Sequence, residues 1–463
     1  MKFAFMHNTL AQLTEKFSLS IFDHSDMKEY AEQALNITAK WHLRECPLKA
    51  LFVLWFVVLM SIYRYKSIAH ITKHLIMILR ETEPNLHNRA ITPEAVMHAR
   101  KRLGVEPLKT AFELMGSHFT ETPSFHGLRT WAADGVDFTL PDTKANEQAF
   151  RRPASRSSPA AFPQMQAVAL VSVTTHLIRD CHFTPYNTSE RNACEILLRS
   201  LGPGDLLLAD RGFPSVPLFE KLCRQGIHFV FRIGAHWKPH IIAKLGPGDY
   251  LVRLTKQVNI PQKRGTRQHA RRTIDLQLRM IEYRVDKEES IRLITSLTDH
   301  FDIPAIEIAH LYNGRWDCEL SYDEIKTHML TVKQGILDTD FRSKTPDGVL
   351  QEAYGMLIAY NLIRILMVDA AERHHISPLH ISFVDTLQVV ESSLSIFERA
   401  QPEKIDCLIK RLLDDIAACR LTRPRRIRSY PRRVRVKISS YLLKKPSDTQ
   451  SKRNHKEELV LVG

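Results

Sequence analysis

Three carboxylates stand where an α/β scaffold would bring them together: Asp134, Asp210 and Glu319. The runs LRTWAAD and LLLAD each end in an acid, so Asp134 and Asp210 are read at the ends of strands. Glu319 lies in Tyr312–Lys326, YNGRWDCELSYDEIK, read as a helix packed on the sheet. Acids held rigidly at adjacent strand ends, joined by one from a helix, present hard oxygen donors with open positions. That set suits Mg²⁺, which keeps waters and binds through few carboxylates plus substrate phosphates. Two such ions about 3.5–4 Å apart activate a water or 3′-hydroxyl on one side and stabilise the leaving oxygen on the other.

Tyr312, Arg315, Glu319 and Lys326 lie at offsets 0, 3, 7 and 14. On an α-helix they fall within about 60° of one another. One face then carries a phenol, a guanidinium, a carboxylate and an ammonium, which suits a metal held by the acid and a polyanion held by the cations. A solvated face laced by i,i+4 pairs such as Arg315 with Glu319 shows the same pattern. Asp137 and Asp142 beside Asp134, and Gly212 after Asp210, leave a turn-forming role open for those aspartates. Asp317, Asp323 and Glu324 share the helix with Glu319.

The elements that must position these residues follow from periodicity. Residues 1–120 read as helical, with apolar spacing through Phe17–Leu35 and Ile68–Leu79. Thr92-Pro93-Glu94 is a helix start: a capping hydroxyl, a proline at the first position, then an acid. That helix carries Arg100, Lys101 and Arg102 near its end and stops at Gly104. It could enter a DNA groove or simply match the helix dipole; the global charge favours DNA. Strands are expected at Gln166–Val173, Leu177–Phe183, LLLAD and HFVFRI, with helices between them, hence an α/β core. Residues 234–290 read as a β-rich insertion around a basic linker, Lys256–Thr273. FRSKTP, with Arg342 and Lys344, is a basic turn, and Gly348–Ala371 is a long apolar helix expected to be buried. Further helices are expected near Phe383–Phe397 and Pro402–Ala418. Residues 420–445 hold eleven Lys or Arg and no acid, and read as a phosphate-gripping arm.

The chain has 463 residues, 44% of them apolar, enough for two to four domains with real cores. A net charge of +14 points to a polyanionic partner, nucleic acid before membrane. Seven scattered cysteines with no CxxC pair argue against a zinc ribbon or a disulfide framework. The most apolar run, Ala50–Met60, has eleven residues, short of the roughly 20 that span a bilayer, so it reads as a buried core helix. No secretory signal is expected. The reading is a reduced, cytoplasmic protein.

The segments AADGVDFTLPDT, LLLADRGF and YNGRWDCELSYDEIK resemble, in order, the three catalytic blocks of DDE transposases of the insertion-sequence-4 family. The third matches that family's Tyr-x2-Arg-x3-Glu-x6-Lys signature at every signature position. ITPEAVMHARKRLG, FRSKTP and GMLIAYNLIR extend the resemblance over nearly the whole chain. It implies an RNase H-like (retroviral-integrase-like) core interrupted by a β-rich insertion. The implied plan is a helical DNA-binding domain over 1–120, core over 121–233, insertion over 234–290, core again over 291–378, and a helical region with a basic tail over 379–463. It implies Asp134, Asp210 and Glu319 as catalytic ligands of two Mg²⁺ ions, with Mn²⁺ as a substitute. It implies that Tyr312, Arg315 and Lys326 hold DNA phosphates; Arg342, Lys344, Arg100, Lys101 and Arg102 are the further candidate DNA contacts. The partners would be double-stranded DNA, as terminal inverted repeats and as target, and a second copy of the chain in a homodimer at the nucleoid. The insertion departs from some relatives, which place a Trp late in it to support a flipped base. Here its single Trp, Trp237, comes first and reads as a packing residue. Two alternatives share the scaffold: a metal-dependent nuclease that cuts without joining, and a catalytically silent DNA-binding derivative.

Overall fold

The structure is a computed structural model, which describes residues 12, 14, 19–41, 48–82, 91–119, 121–153, 160, 162–259, 271–285, 290–330, 339–421 and 459–461. Most of the basic linker 256–273 and nearly all of the basic segment 420–445 lie outside the described residues.

The chain begins with helices α1 (Met27–Ile37), α2 (Ala50–Ile62), α3 (Ile68–Thr82), α4 (Pro93–Leu103) and α5 (Glu106–Ser117). Helix α2 is apolar on every side and is buried from Leu51 to Ile62, as a helix without a polar face must be. Helix α4 starts as its sequence indicates: Thr92 Oγ1 accepts from the Ala95 amide at 3.2 Å, with Pro93 and Glu94 in the first turn. Its inward face is Val96, Ala99, Arg100 and Leu103, a helical i, i+3, i+4, i+7 set.

Next come β1 (Arg129–Thr139), α6 (Lys144–Phe150), β2 (Gln164–Ser172), β3 (Ile178–Pro185), α7 (Glu190–Leu197), β4 (Asp205–Ala209), α8 (Val216–Arg224) and β5 (His228–Ile233). The segment 234–290 holds β6 (His240–Gly246), β7 (Asp249–Asn259) and β8 (Arg271–Val285), and β9 (Ile291–Thr295) follows. The sheet order is β3-β2-β1-β4-β5-β9-β8-β7-β6. Strands β1, β2 and β3 pair antiparallel, while β4 and β5 run parallel to β1. The β-rich segment does not stand apart, because β9 pairs with both β5 and β8 and makes one continuous sheet.

Side chains alternate across a strand, and the two faces of this sheet feed two cores. Ala132, Leu206, Leu208 and Val230 face one, with α2 and the helices that follow β9. Trp131, Ala133, Leu207, Ala209, Phe229 and Phe231 face the other, with α7 and α8. Beyond the sheet lie α9 (Ala305–Asp323), a π-helical turn Glu324–Leu330, α10 (Pro346–Arg373), α11 (Phe383–Phe397) and α12 (Ile405–Ala418). A last short strand, β10 (Leu459–Leu461), adds to β8. Among the described residues, only α10 is long and apolar enough to cross a membrane, and 83% of its apolar window is buried in the protein. It packs tightly on α2: a Cβ at Gly355 would lie 2.7 Å from Val57 Cγ1, so only glycine permits that approach.

Candidate active site

Asp134 does not end its strand, contrary to the sequence reading. β1 pairs with β4 from Arg129 to Ala133 and then continues to Thr139 against β2 alone. Asp134 is therefore the first residue beyond the parallel pairing. Asp210 follows Ala209, the last residue of β4, whose partner is Ala133. The two aspartates are thus neighbours in register. By alternation, Asp134 shares the face of Ala132, the face on which α9 packs.

Helix α9 is pinned there. Tyr322 Oη donates to the Asp134 carbonyl at 2.8 Å. Arg315 donates to Glu319 Oε1 at 2.9 Å, and its Nη1 lies 3.6 Å from Asp134 Oδ2. One guanidinium therefore stands between two of the three acids. Arg315 is 5% exposed, and its Nε and Nη1 have no hydrogen-bond partner. Burial opposes its charge, but Tyr312, Asp134 and Glu319 more than offset that and hold it firmly protonated. Tyr312 is buried, its hydroxyl is also without a partner, and burial pushes its pKa up to about 12. The solvated-face reading of this helix is wrong for Tyr312 and Arg315, both of which point inward.

The four-residue wheel does not extend to Lys326, because α9 ends at Asp323 and Lys326 falls in the π-helical turn. Its Nζ sits 5.7 Å from the centre of the Phe138 ring, beside Asp137 and Asp340. It marks the far end of β1, away from Tyr312.

Burial pushes the Asp134 carboxyl up to about 6; Arg315 and the Gly135 amide work against this, while Glu319 and Asp210 add to it. A carboxyl whose folded pKa lies above its unfolded value contributes stability at low pH that is lost as pH rises through the folded pKa. Metal-free protein should therefore lose stability between pH about 4 and 7. At pH 8, Asp134→Asn should be more stable than the parent by at most about 3 kcal/mol, seen as a higher urea midpoint. Equal midpoints at pH 8 would refute this.

The donor set of Asp134, Asp210 and Glu319 is all hard carboxylate oxygen, chemistry that fits a divalent cation. Among the described residues, however, no three His, Cys, Asp or Glu side chains converge on one point as they stand. Arg315 supplies positive charge in the gap between Asp134 and Glu319.

The remaining candidate DNA contacts divide. Lys101, Arg102 and Lys344 are exposed. Arg100 is 2% exposed and bonded to Gly348 O (3.3 Å) and Ser343 Oγ (3.4 Å), with Glu352 3.8 Å away. Arg342 is half-buried, donates to the Lys66 carbonyl at 2.9 Å and to the Arg64 carbonyl, and burial lowers its pKa to about 10. Both are corrected to structural cations that weld the basic turn to the N-terminal helices. Trp237 packs on Phe219, ring centres 5.8 Å apart, in line with the packing role. The side chain of Trp316 lies outside the described residues.

Two residues near the acids were not singled out from the sequence. Arg232 on β5 acts electrostatically on Tyr312 and Tyr283. Glu190, the first residue of α7, has its pKa raised by burial and then by Asp210, Asp134 and Asp137. No spacing signal marked either; Glu190 reads as an ordinary acid in a helix's first turn.

Residues 126–362 match the family described as Transposase DDE domain, and residues 16–113 match Insertion element 4 transposase N-terminal. The chain is 32% identical over 432 residues to Transposase InsG for insertion sequence element IS4 of Escherichia coli (strain K12), covering 91% of this chain and 93% of that protein. It is 26% identical over 227 residues to Putative transposase InsZ of the same organism, 48% of this chain and 71% of that one. A solved structure, a piggyBac transposase synaptic complex with hairpin DNA, aligns with TM-score 0.41 and 11% identity over 88% of this chain and 85% of that one, too distant to bear on the fold. The chain belongs to the insertion-sequence-4 family of DDE transposases.

Proposed function

We propose that this chain binds the terminal inverted repeats of an insertion element as a homodimer, nicks each end, and joins the freed 3′-hydroxyls to target DNA at the nucleoid. The core is RNase H-like, a reading supported by the order β3-β2-β1-β4-β5 with β4 and β5 parallel to β1. The observation that carries the proposal is the pairing of Ala133 with Ala209, which makes Asp134 and Asp210 the next residues in register, with Arg315 3.6 Å from Asp134 and paired to Glu319.

Asp134, Asp210 and Glu319 would hold the divalent ions, Mg²⁺ or Mn²⁺. Bound there, such ions lower the pKa of the attacking water or hydroxyl and stabilise the leaving oxygen. The chain's own groups orient the phosphate. Arg315 Nε and Nη1 and Tyr312 Oη have no hydrogen-bond partner, although Nη1 lies 3.6 Å from Asp134 Oδ2, and a phosphate reaching them would supply acceptors. When Arg315 turns to phosphate, Glu319 is released toward Asp134. Lys326, Lys344, Lys101 and Arg102 extend the cationic surface: Lys326 neighbours Asp340, whose Oδ2 accepts from the Thr139 amide. The turn beyond it reaches α4 through the Arg100 contacts with Ser343 and Gly348.

Full-length protein incubated with Mg²⁺ and DNA carrying the element's ends tests this reading. Joined strand-transfer products support it. Nicks without joining favour a nuclease, and binding without either favours a silent derivative. Lys326→Ala should lower the slope of log K against log salt by about one, the value for one neutralised phosphate. An unchanged slope would remove Lys326 from the interface.

A further inference from the structure

We propose that Glu190 is a fourth carboxylate ligand of the divalent-metal site, reaching it through the space left by two glycines and steadied by Gln166. The proposal rests on the metal reading of Asp134 and Asp210 given above.

Glu190 approaches from the side opposite Glu319. Gly135 follows Asp134 on β1, so its missing side chain would point to the α7 face. A Cβ at Gly135 would lie 2.3 Å from Glu190 Oε1. Any side chain there would evict the carboxylate. At Gly212, a Cβ would lie 3.2 Å from Glu190 Oε2 and 3.1 Å from Asp210 Oδ1, so the two acids converge on one point. The loop is tied to the helix that bears Glu190, because Arg191 Nε donates to the Phe213 carbonyl at 3.2 Å.

Gln166 supplies the independent sign of a ligand. It is 8% exposed and sits opposite Asp137 in the β1–β2 register. Its Nε2 donates to Glu190 Oε1 at 3.3 Å, yet its carbonyl Oε1 is buried with no partner. A buried carbonyl oxygen lacking a donor is costly. A cation or its coordinated water would satisfy that oxygen beside the Glu190 carboxylate. Acids from both faces of the sheet then lie toward one edge: Glu319 and Asp134 on one face, and Glu190 on the other with Asp210 near it.

Mn²⁺ binding to the full-length chain, followed by the electron paramagnetic resonance signal of free Mn²⁺, tests this without relying on activity. E190Q should weaken Mn²⁺ binding by about ten-fold or more, and D210N should weaken it as well. A urea midpoint of metal-free E190Q matching the parent's would tie any loss of Mn²⁺ binding to the carboxylate, and retained binding by a folded E190Q would overturn the proposal. If D210N loses Mn²⁺ and E190Q binds it like the parent, the Glu190 proposal falls alone. If both bind it like the parent, the metal reading falls and takes the proposal with it.

Discussion

Asp210→Asn is expected to abolish both cleavage and joining of DNA ends, by about 10³-fold or more, while leaving the fold and DNA binding intact. The size follows from removing one ligand of a site asked to supply several kcal/mol of transition-state stabilisation, each 1.36 kcal/mol being a factor of ten. The selectivity follows from geometry. Asp210 Oδ1 accepts from the Gly212 amide at 2.7 Å, and an asparagine carbonyl can accept the same bond, so the turn after β4 survives. Single-turnover cleavage of end-bearing DNA checks the first part, and gel-shift affinity with a urea midpoint checks the second. A variant that cuts at the parental rate would leave Asp210 as a turn residue, the plainer reading of its sequence.

The second large effect concerns the buried network behind the signature helix. Arg364 on α10 pairs with Glu324, donates to Tyr360 Oη at 3.1 Å and lies 3.1 Å from His176 Nδ1. Tyr360 Oη in turn donates to Glu324 Oε2 at 3.0 Å. Arg364 is 1% exposed and Glu324 is 5% exposed. Glu324 begins the π-helical turn that carries Lys326, so this network holds the Lys326 end of the signature segment against the core. Arg364→Met leaves a buried carboxylate without its cation, which costs about 3–5 kcal/mol. The double change Arg364→Met with Glu324→Met should recover much of that loss, because an apolar pair leaves no stranded charge. Urea unfolding of the three variants decides. A single-variant loss below about 1 kcal/mol would show that the pair does not anchor the turn.

The sequence carried much of this architecture for identifiable reasons. LLLAD and HFVFRI are apolar on both faces, which marks buried parallel strands, and β4 and β5 are such strands. The capping hydroxyl of Thr92 and the uniform apolarity of Ala50–Met60 specified α4 and α2 in the same direct way. Asp210 and Glu319 drew the sequence expectation because one closes an apolar run and the other sits in the family signature.

Other features depend on packing that periodicity does not encode. The extension of β1 past Asp134 comes from its pairing with β2, not from its own residues. The π-helical turn has the same local composition as a continuing α-helix, so the wheel placed Lys326 beside Tyr312. Strand β6 presents His240, Ile241 and Ile242 to solvent at the sheet's edge, and its apolar residues lack the alternation that identifies a half-buried strand. Arg100 is the instructive case. Its i, i+3, i+4, i+7 companions Val96, Ala99 and Leu103 already placed it inward, but the overall positive charge drew it into the DNA-facing group.

The position of the ion tests the central claim most directly. Crystals of the full-length chain grown with Mn²⁺ and end DNA, measured at the Mn absorption edge, would locate it by anomalous scattering. A peak is expected within bonding distance of Asp134 and Asp210, with Glu319 turned from Arg315 toward it and Arg315 on a phosphate. A peak bound elsewhere, or a DNA complex in which Arg315 still bridges Asp134 and Glu319 with no ion beside them, would contradict it.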